Sequence, residues 1–369
     1  MYSVRYPKTI ALAFVLAITA VLPAFAQTSV DGSKGSNGEV TLSKCWSFPV
    51  DDGRTVAADA THVIVGGGGA KVEAFSVDGK KLWATELGGE IASNVLVGNG
   101  GVFLVTTSLN ADSGKGGGTV RFLSLETGIT LWSVKLPDAE SYSLGLGTDS
   151  VIAITSRGAI EAFDAKTGAA KWRRELAEGF VGEPRFNHTN VYVASSAKQV
   201  FTVSLVSGEI IAVKKMQFAP TAVGEITGDV FTGDERGNVT SLGRRDKANW
   251  NFKSGGKISA IVEVGGNLLA ASNDNFVYLF SGRSGNIAWK KRLNERVSQI
   301  GVIGDKFALV SGYEEHGAHL IDINSGKTVG QLNLGDDEFA VARPVSSNAR
   351  VFILTNGAIH GFGVGNICS

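Results

Sequence analysis

The sequence predicts an all-β protein, an eight-bladed β-propeller of four-stranded antiparallel blades whose last blade is closed by the N-terminal strand. Three observations predict it. One strand–turn–strand unit recurs about every 40 residues. Glycine is abundant, 48 residues against 7 prolines, which suits many tight turns and weakens helices. The last unit is one strand short, and an unassigned strand stands at the other end of the chain.

The unit is clearest at residues 72–83 (VEAFSVDGKKLW), 120–132 (VRFLSLETGITLW), 160–172 (IEAFDAKTGAAKW) and 277–289 (VYLFSGRSGNIAW). Weaker copies lie at 200–212 (VFTVSLVSGEIIA), 239–250 (VTSLGRRDKANW) and 318–330 (AHLIDINSGKTVG). Each opens with apolar alternation of period two, the mark of a strand with two unlike faces. A Thr-Gly or Ser-Gly turn, or a variant of it, follows. Glycine there can take the positive φ of a short hairpin. The next strand often carries a tryptophan, a large apolar surface to set against the neighbouring unit.

The expected blade-packing tryptophans are Trp46, Trp83, Trp132, Trp172, Trp250 and Trp289, with Ala212 and Gly330 at the two remaining equivalent positions. The spacings are 37, 49, 40, 40, 38, 39 and 41 residues. Four short strands with their turns need this length, which matches a propeller blade. A helical repeat would show 3.6-residue periodicity, and none is seen. The long spacing holds a Gly-rich insertion at 108–118 (SLNADSGKGGG) in unit two. Unit one reads as strands at 54–60, 62–65, 71–77 and 80–87. Second strands recur at 101–106, 150–155, 190–194, 229–232, 267–271, 306–310 and 350–354.

The last unit supplies strands at 342–346, 350–354 and 358–364, and no fourth. Residues 42–48 (LSKCWSF) have fourth-strand character and no unit before them. Pairing the two ends removes the open edges that invite aggregation. In the strong units the third-strand Phe precedes the Trp by 8 or 9 residues, as in Phe75–Trp83, Phe163–Trp172 and Phe280–Trp289. Projected from Phe362, Trp46 fills the missing position and Cys45 falls beside Cys368. A Cys45–Cys368 disulfide is therefore expected at the seam, the alternative being two unrelated buried thiols.

The N-terminus reads as a secretory leader over 1–26. Arg5 and Lys8 make the basic start, residues 10–22 the apolar run, and Ala24-Phe25-Ala26 the small-x-small cleavage site. The apolar run is short for a membrane span. Cleavage after Ala26 leaves a linker at 27–41 and a single propeller domain at 42–369. Gln27 stands where a lipidated protein has cysteine, so no lipid anchor is expected. The mature chain keeps 33 basic and 35 acidic residues once Arg5 and Lys8 are removed. That balance argues against nucleic acid as a partner. A periplasmic or secreted location is expected, where disulfides persist.

Residues 162–172 (AFDAKTGAAKW) closely resemble the repeat of the pyrroloquinoline-quinone (PQQ)-like propellers, Ala-x-Asp-x-x-Thr-Gly-x-x-x-Trp. The resemblance covers nearly all of the mature chain. That family includes quinoprotein alcohol dehydrogenases and the BamB group, eight-bladed periplasmic propellers of the outer-membrane assembly machinery. In size and blade number the chain looks more like the BamB group. Many of the dehydrogenases carry adjacent cysteines under the quinone, and this chain has no such pair. The usual lipid-bearing cysteine of the BamB group is also missing. No functional residue is carried over from either group, because fold does not imply function.

Candidate chemistry is sparse. Glu314-Glu315-His316-Gly317-Ala318-His319 could ligate zinc through His316 and His319, but a polar hairpin tip needs no metal. Asn273-Asp274-Asn275 offers oxygen ligands for a hard cation and is also an ordinary turn, the preferred reading. His62, His188 and His360 are isolated. The four glycines at 66–69 lack the Lys-Ser/Thr and helix of a phosphate loop and read as a flexible hairpin. Basic pairs at 80–81, 173–174, 214–215, 244–245 and 290–292 recur near the fourth strands, where charge protects an exposed sheet edge.

These readings predict no catalytic residue, no cofactor and no metal. The expected function is that of a monomeric, non-enzymatic propeller of the bacterial envelope. It would bind protein partners, with outer-membrane protein assembly as the specific form. The other readings are a PQQ- or metal-dependent oxidoreductase and an extracellular polysaccharide- or peptide-binding propeller.

Overall fold

The computed structural model describes residues 40–109, 116–176, 178–243, 248–294, 296–312, 317–335, 337–365 and 368. The leader expected at 1–26 and most of the linker at 27–41 lie outside these residues. The chain is an eight-bladed propeller, each blade an antiparallel sheet. Blade 1 comprises Thr55–Ala58, His62–Gly66, Lys71–Ser76 and Lys81–Glu86, in that order from axis to rim. Blades 3 to 7 repeat this order. In blade 2 the innermost strand is split into Glu90–Ile91 and Leu96–Gly98.

The insertion in blade 2 lengthens its middle strands to Gly101–Leu109 and Gly116–Ser124, paired out to Leu109 and Gly116. The four-glycine segment is not a loose hairpin. Gly68–Ala70 forms a 3-10 turn, and Gly68 N–H donates to the Asp51 carbonyl at 3.0 Å. Backbone without side chains can approach that closely.

Blade 8 consists of Val345–Ser347, Arg350–Leu354, Ala358–Val364 and, as its outer strand, the N-terminal Leu42–Pro49. The pairing runs from Leu42 opposite Val364 to Pro49 opposite Ala358. Cys45 and Cys368 form a disulfide, with Cα atoms 5.2 Å apart across 323 residues of sequence.

One local device recurs in all eight blades. The outer strand skips one residue in its pairing immediately before the tryptophan position. This β-bulge sharpens the twist of the edge, and the residue after it faces the next blade. Trp132 is typical. Its Nε1–H donates to the Ala165 carbonyl of blade 3 at 3.2 Å. Its ring covers Gly168, where φ is +72° and an added Cβ would lie 2.8 Å from the indole. Trp46, Trp83, Trp172, Trp250 and Trp289 each donate in the same way to the next blade. The turn glycine therefore has two causes, its own backbone angle and the ring of the preceding blade.

Gly330 departs from the pattern for a visible reason. The next blade is the seam, which has no third-to-fourth-strand hairpin for an indole to cover. Instead Val40 N–H donates to the Val329 carbonyl at 2.6 Å, and an added Cβ at Gly330 would meet the Val40 carbonyl. The hairpin of blade 5 that faces Ala212, at 244–247, lies outside the described residues.

Candidate functional site at the channel mouth

The first strand of each blade lines the axis and packs against the first strands of the neighbouring blades. Two segments depart from regular alternation there. In blade 4 the pairing of Phe180–Phe186 jumps from Val181–Ala194 to Arg185–Tyr192, so Gly182, Glu183 and Pro184 leave the ladder. Gly182 has φ +69°, and a Cβ would lie 2.8 Å from the Thr221 carbonyl of blade 5. Pro184 has no N–H to leave unsatisfied. The bulge pushes Glu183 outward, 71 % exposed. The second segment is the connection from blade 7 to blade 8, which carries Arg343.

Arg343 Nη2 lies 2.5 Å from Glu183 Oε2, 160 residues away in sequence. Blades 4 and 8 stand opposite each other in a ring of eight, so this ion pair crosses the channel. It closes over a cavity of about 250 Å³ lined also by Arg185, Thr221, Ser259 and Gln299. Burial lowers the Arg185 guanidinium below the usual arginine value, and Arg343 adds to this. Glu183, Glu263 and Glu225 oppose it. Glu263 is raised by burial and then by Glu225, with Arg185 opposing. Glu225 accepts from Asn187 Nδ2 at 3.2 Å and from Gly228 N–H. Charge is thus concentrated on the blade 4 to 6 side of the axis.

Blade-to-blade connections and second-to-third-strand turns open on one end of a propeller. That face holds the ion pair, the Gly68–Ala70 turn, the partly exposed Phe339 and Asn273-Asp274-Asn275. The strands flanking 110–115 and 313–316 also end there. The segments singled out in the sequence as unusual loops therefore share one face.

The Asn273-Asp274-Asn275 segment is an internally satisfied turn. The Asp274 carboxylate accepts from Tyr278 OH at 2.7 Å, Gly255 N–H at 2.8 Å and Phe276 N–H at 3.1 Å. His316 lies outside the described residues, and His319 Nδ1 faces Gln331 Nε2 at 3.1 Å. His360 is buried against Glu338, and burial lowers it. His62 meets Thr61 Oγ1 at 2.8 Å. Among the described residues no three His, Cys, Asp or Glu side chains cluster as metal ligands.

Both cysteines are joined to each other at the rim. The basic pairs at 173–174, 214–215 and 290–292 stand on outer strands, Lys81 opens another, and the pair at 244–245 lies outside the described residues. Lys81 meets Glu73 at 2.6 Å, and Arg173 meets Glu161 at 3.2 Å.

Sequence reading passed over Glu183, Arg185 and Arg343. The available signal was local: Gly182-Glu183-Pro184 interrupts the strand that opens unit four. Nothing local pairs Glu183 with Arg343.

Residues 36–249, more than half of the chain, match the family model described as outer membrane protein assembly factor BamB. Proteins of that name are similar along much of their length. The one from Shewanella oneidensis is 23 % identical over 301 residues, 74 % of this chain and 75 % of the relative. The one from Yersinia pestis is 25 % identical over 309 residues, 83 % of this chain and 70 % of the relative. The crystal structure of BamB from Moraxella catarrhalis superposes with a TM-score of 0.66 at 16 % identity, covering 88 % of this chain and 98 % of that one. That likeness concerns the fold.

Proposed function

We propose a function from one premise: the chain belongs to the outer membrane protein assembly factor BamB family. It acts as a non-enzymatic, protein-binding propeller of the bacterial envelope and takes part in outer-membrane protein assembly. The leader at 1–26 is removed and the mature chain, beginning at Gln27, is periplasmic or secreted. No helix among the described residues is long and apolar enough to cross a membrane.

The observation that carries this reading is the channel mouth. Glu183 is thrust out by a three-residue bulge and held by Arg343 from across the ring. It sits at the centre of the face where the loops converge. An exposed ion pair contributes little stability, about 0–1 kcal/mol. Its charges are therefore available to a partner at small cost to the fold.

A photo-crosslinking residue at Glu183, used in envelope extract, is expected to capture a protein of the outer-membrane assembly machinery. The same residue at Thr227, a first-to-second-strand turn on the opposite face, is expected to capture none. Arg343→Glu should cut recovery at least tenfold with the fold intact by circular dichroism. Equal capture from both faces, or no assembly protein from either, overturns the reading.

A further inference from the structure

The rim of the propeller differs in charge from one sector of the ring to another. Each outer strand ends at the channel-mouth face, beside the turn between the second and third strands. In blades 4, 5 and 6 the last pairing there is Gln199–Lys215, Asn238–Lys253 and Phe276–Arg292. The same station holds Glu86 in blade 1, Glu175 in blade 3 and Asn333 in blade 7. Blade 2 ends its outer strand on Lys135, separated from the basic run by Glu175. The second-to-third-strand turns add Lys198 in blade 4 and Arg236 in blade 5, and the outer strand of blade 6 adds Lys290. Turn and strand end are joined in each case. Met216 N–H donates to the Lys198 carbonyl at 2.7 Å, and the Lys253 ammonium donates to the Arg236 carbonyl.

All six of these cationic side chains are exposed. On blades 1 and 3 the cations are answered locally, Lys71 and Lys81 by Glu73, Lys171 by Asp149 and Arg173 by Glu161. On blades 4 to 6 none of the six joins an ion pair among the described residues. The acids of the same turns point inward instead. Asp234 is buried and accepts from Arg236 N–H, Asn238 N–H and Asn238 Nδ2. Asp274 accepts from Tyr278 OH, Gly255 N–H and Phe276 N–H. Glu235 stays exposed, and Glu295 lies outside the described residues. Glu225 and Glu263 stand at the other end of their strands, beside the first-to-second-strand turns. A sequence balanced at 35 basic and 35 acidic residues therefore carries a band of one sign. Two of the cations are also held in place. Arg236 Cζ lies 5.8 Å from the centre of the Phe218 ring and Lys290 Nζ 5.4 Å from that of Phe276. Such contacts restrict a side chain while its charge stays in water.

The six cations converge on no single pocket. They are spread over three successive blades along one edge, an arrangement that matches a broad anionic surface and not one small anion. We infer that the channel-mouth edge of the rim over blades 4 to 6 docks on a bilayer surface bearing anionic phospholipid headgroups. Each Lys or Arg brought to such a surface strengthens binding about fivefold. The attraction fades beyond a Debye length of about 8 Å at physiological salt. Contact runs through the rim, so the Glu183–Arg343 pair at the axis stays open to a protein partner.

The test is flotation of the mature chain with vesicles of phosphatidylethanolamine containing phosphatidylglycerol. Binding is expected at low salt and is expected to vanish near 1 M salt, where the screening length falls to about 3 Å. Vesicles of phosphatidylcholine alone should bind none. Lys215→Gln, Lys253→Gln and Arg292→Gln together should weaken binding at least ~twentyfold, since three charges at about fivefold each are removed. Lys80→Gln, Arg283→Gln and Lys327→Gln remove the same charge from exposed turns on the opposite face and should change binding by less than about twofold. An unchanged thermal midpoint in both variants shows that the fold is kept. No binding to the anionic vesicles, binding that survives high salt, or equal loss in the two triple variants overturns the inference. So does release of the protein by soluble glycerol phosphate, which would mark a site for one phosphate group and not a surface.

Discussion

At the scale of single residues, the turn glycines and the tryptophans form one coupled system. Gly168 must hold φ +72° and must also leave room for Trp132. Gly168→Ala is therefore expected to lose about 2–4 kcal/mol, from left-handed backbone strain plus displacement of a packed ring. Equilibrium urea unfolding checks this; a loss below 1 kcal/mol would mean that the indole moves freely. Glu161 is a second residue with a defined expectation. Burial raises its carboxyl above the ordinary range, Arg173 opposes this, and Glu175 reinforces it. Its Oε1 faces Arg173 at 3.2 Å but accepts no hydrogen bond. A carboxyl with a raised folded pKa binds its proton better when folded. Its charged form thus costs stability above that pKa, and the cost fades as pH falls through it. Glu161→Gln should be more stable than the parent at pH 7, with the difference shrinking toward pH 4. Chemical denaturation at both pH values decides it.

At the scale of elements, the N-terminal strand matters most. Leu42–Pro49 pairs with Ala358–Val364, and Trp46 covers Gly79 of blade 1. Deleting residues 40–49 removes a whole strand, leaves Ala358–Val364 as an unprotected apolar edge, and takes away the closing disulfide. Such a chain is expected to aggregate during refolding, as read by light scattering, while the intact chain stays monomeric. The same element explains why unit seven is a weak copy. Its Gly330 answers to Val40, not to a hairpin turn. Unit four is weak for a different reason, since Ala212 stands at its tryptophan position.

At the scale of the whole molecule, ring closure rests on the Cys45–Cys368 bond together with strand pairing. Cross-linking residues 323 apart constrains the unfolded chain by about 5–6 kcal/mol in the loop-entropy model. Reduction, or under non-reducing conditions the Cys45→Ala, Cys368→Ala pair, should lower the thermal midpoint without changing the far-ultraviolet spectrum at 25 °C. An unchanged midpoint would show that the hydrogen-bonded seam suffices alone. The channel ion pair also belongs to this scale. It joins opposite blades and exists only when the ring is closed.

What the sequence by itself determined was the periodic part of the molecule. The count of eight blades, the strand order, the longer hairpin of blade 2 and the meeting of the two ends all follow from spacing. Strand alternation, turn chemistry and the tryptophan are local signals, and each repeats often enough to be counted. The missing tryptophan at Ala212 was visible too, as a gap in that count. Only the tertiary structure decided that Glu183 meets Arg343, since a ring brings positions half a circumference apart to one axis. Repetition encodes neighbours, and the site that bears on function here is made where non-neighbours meet.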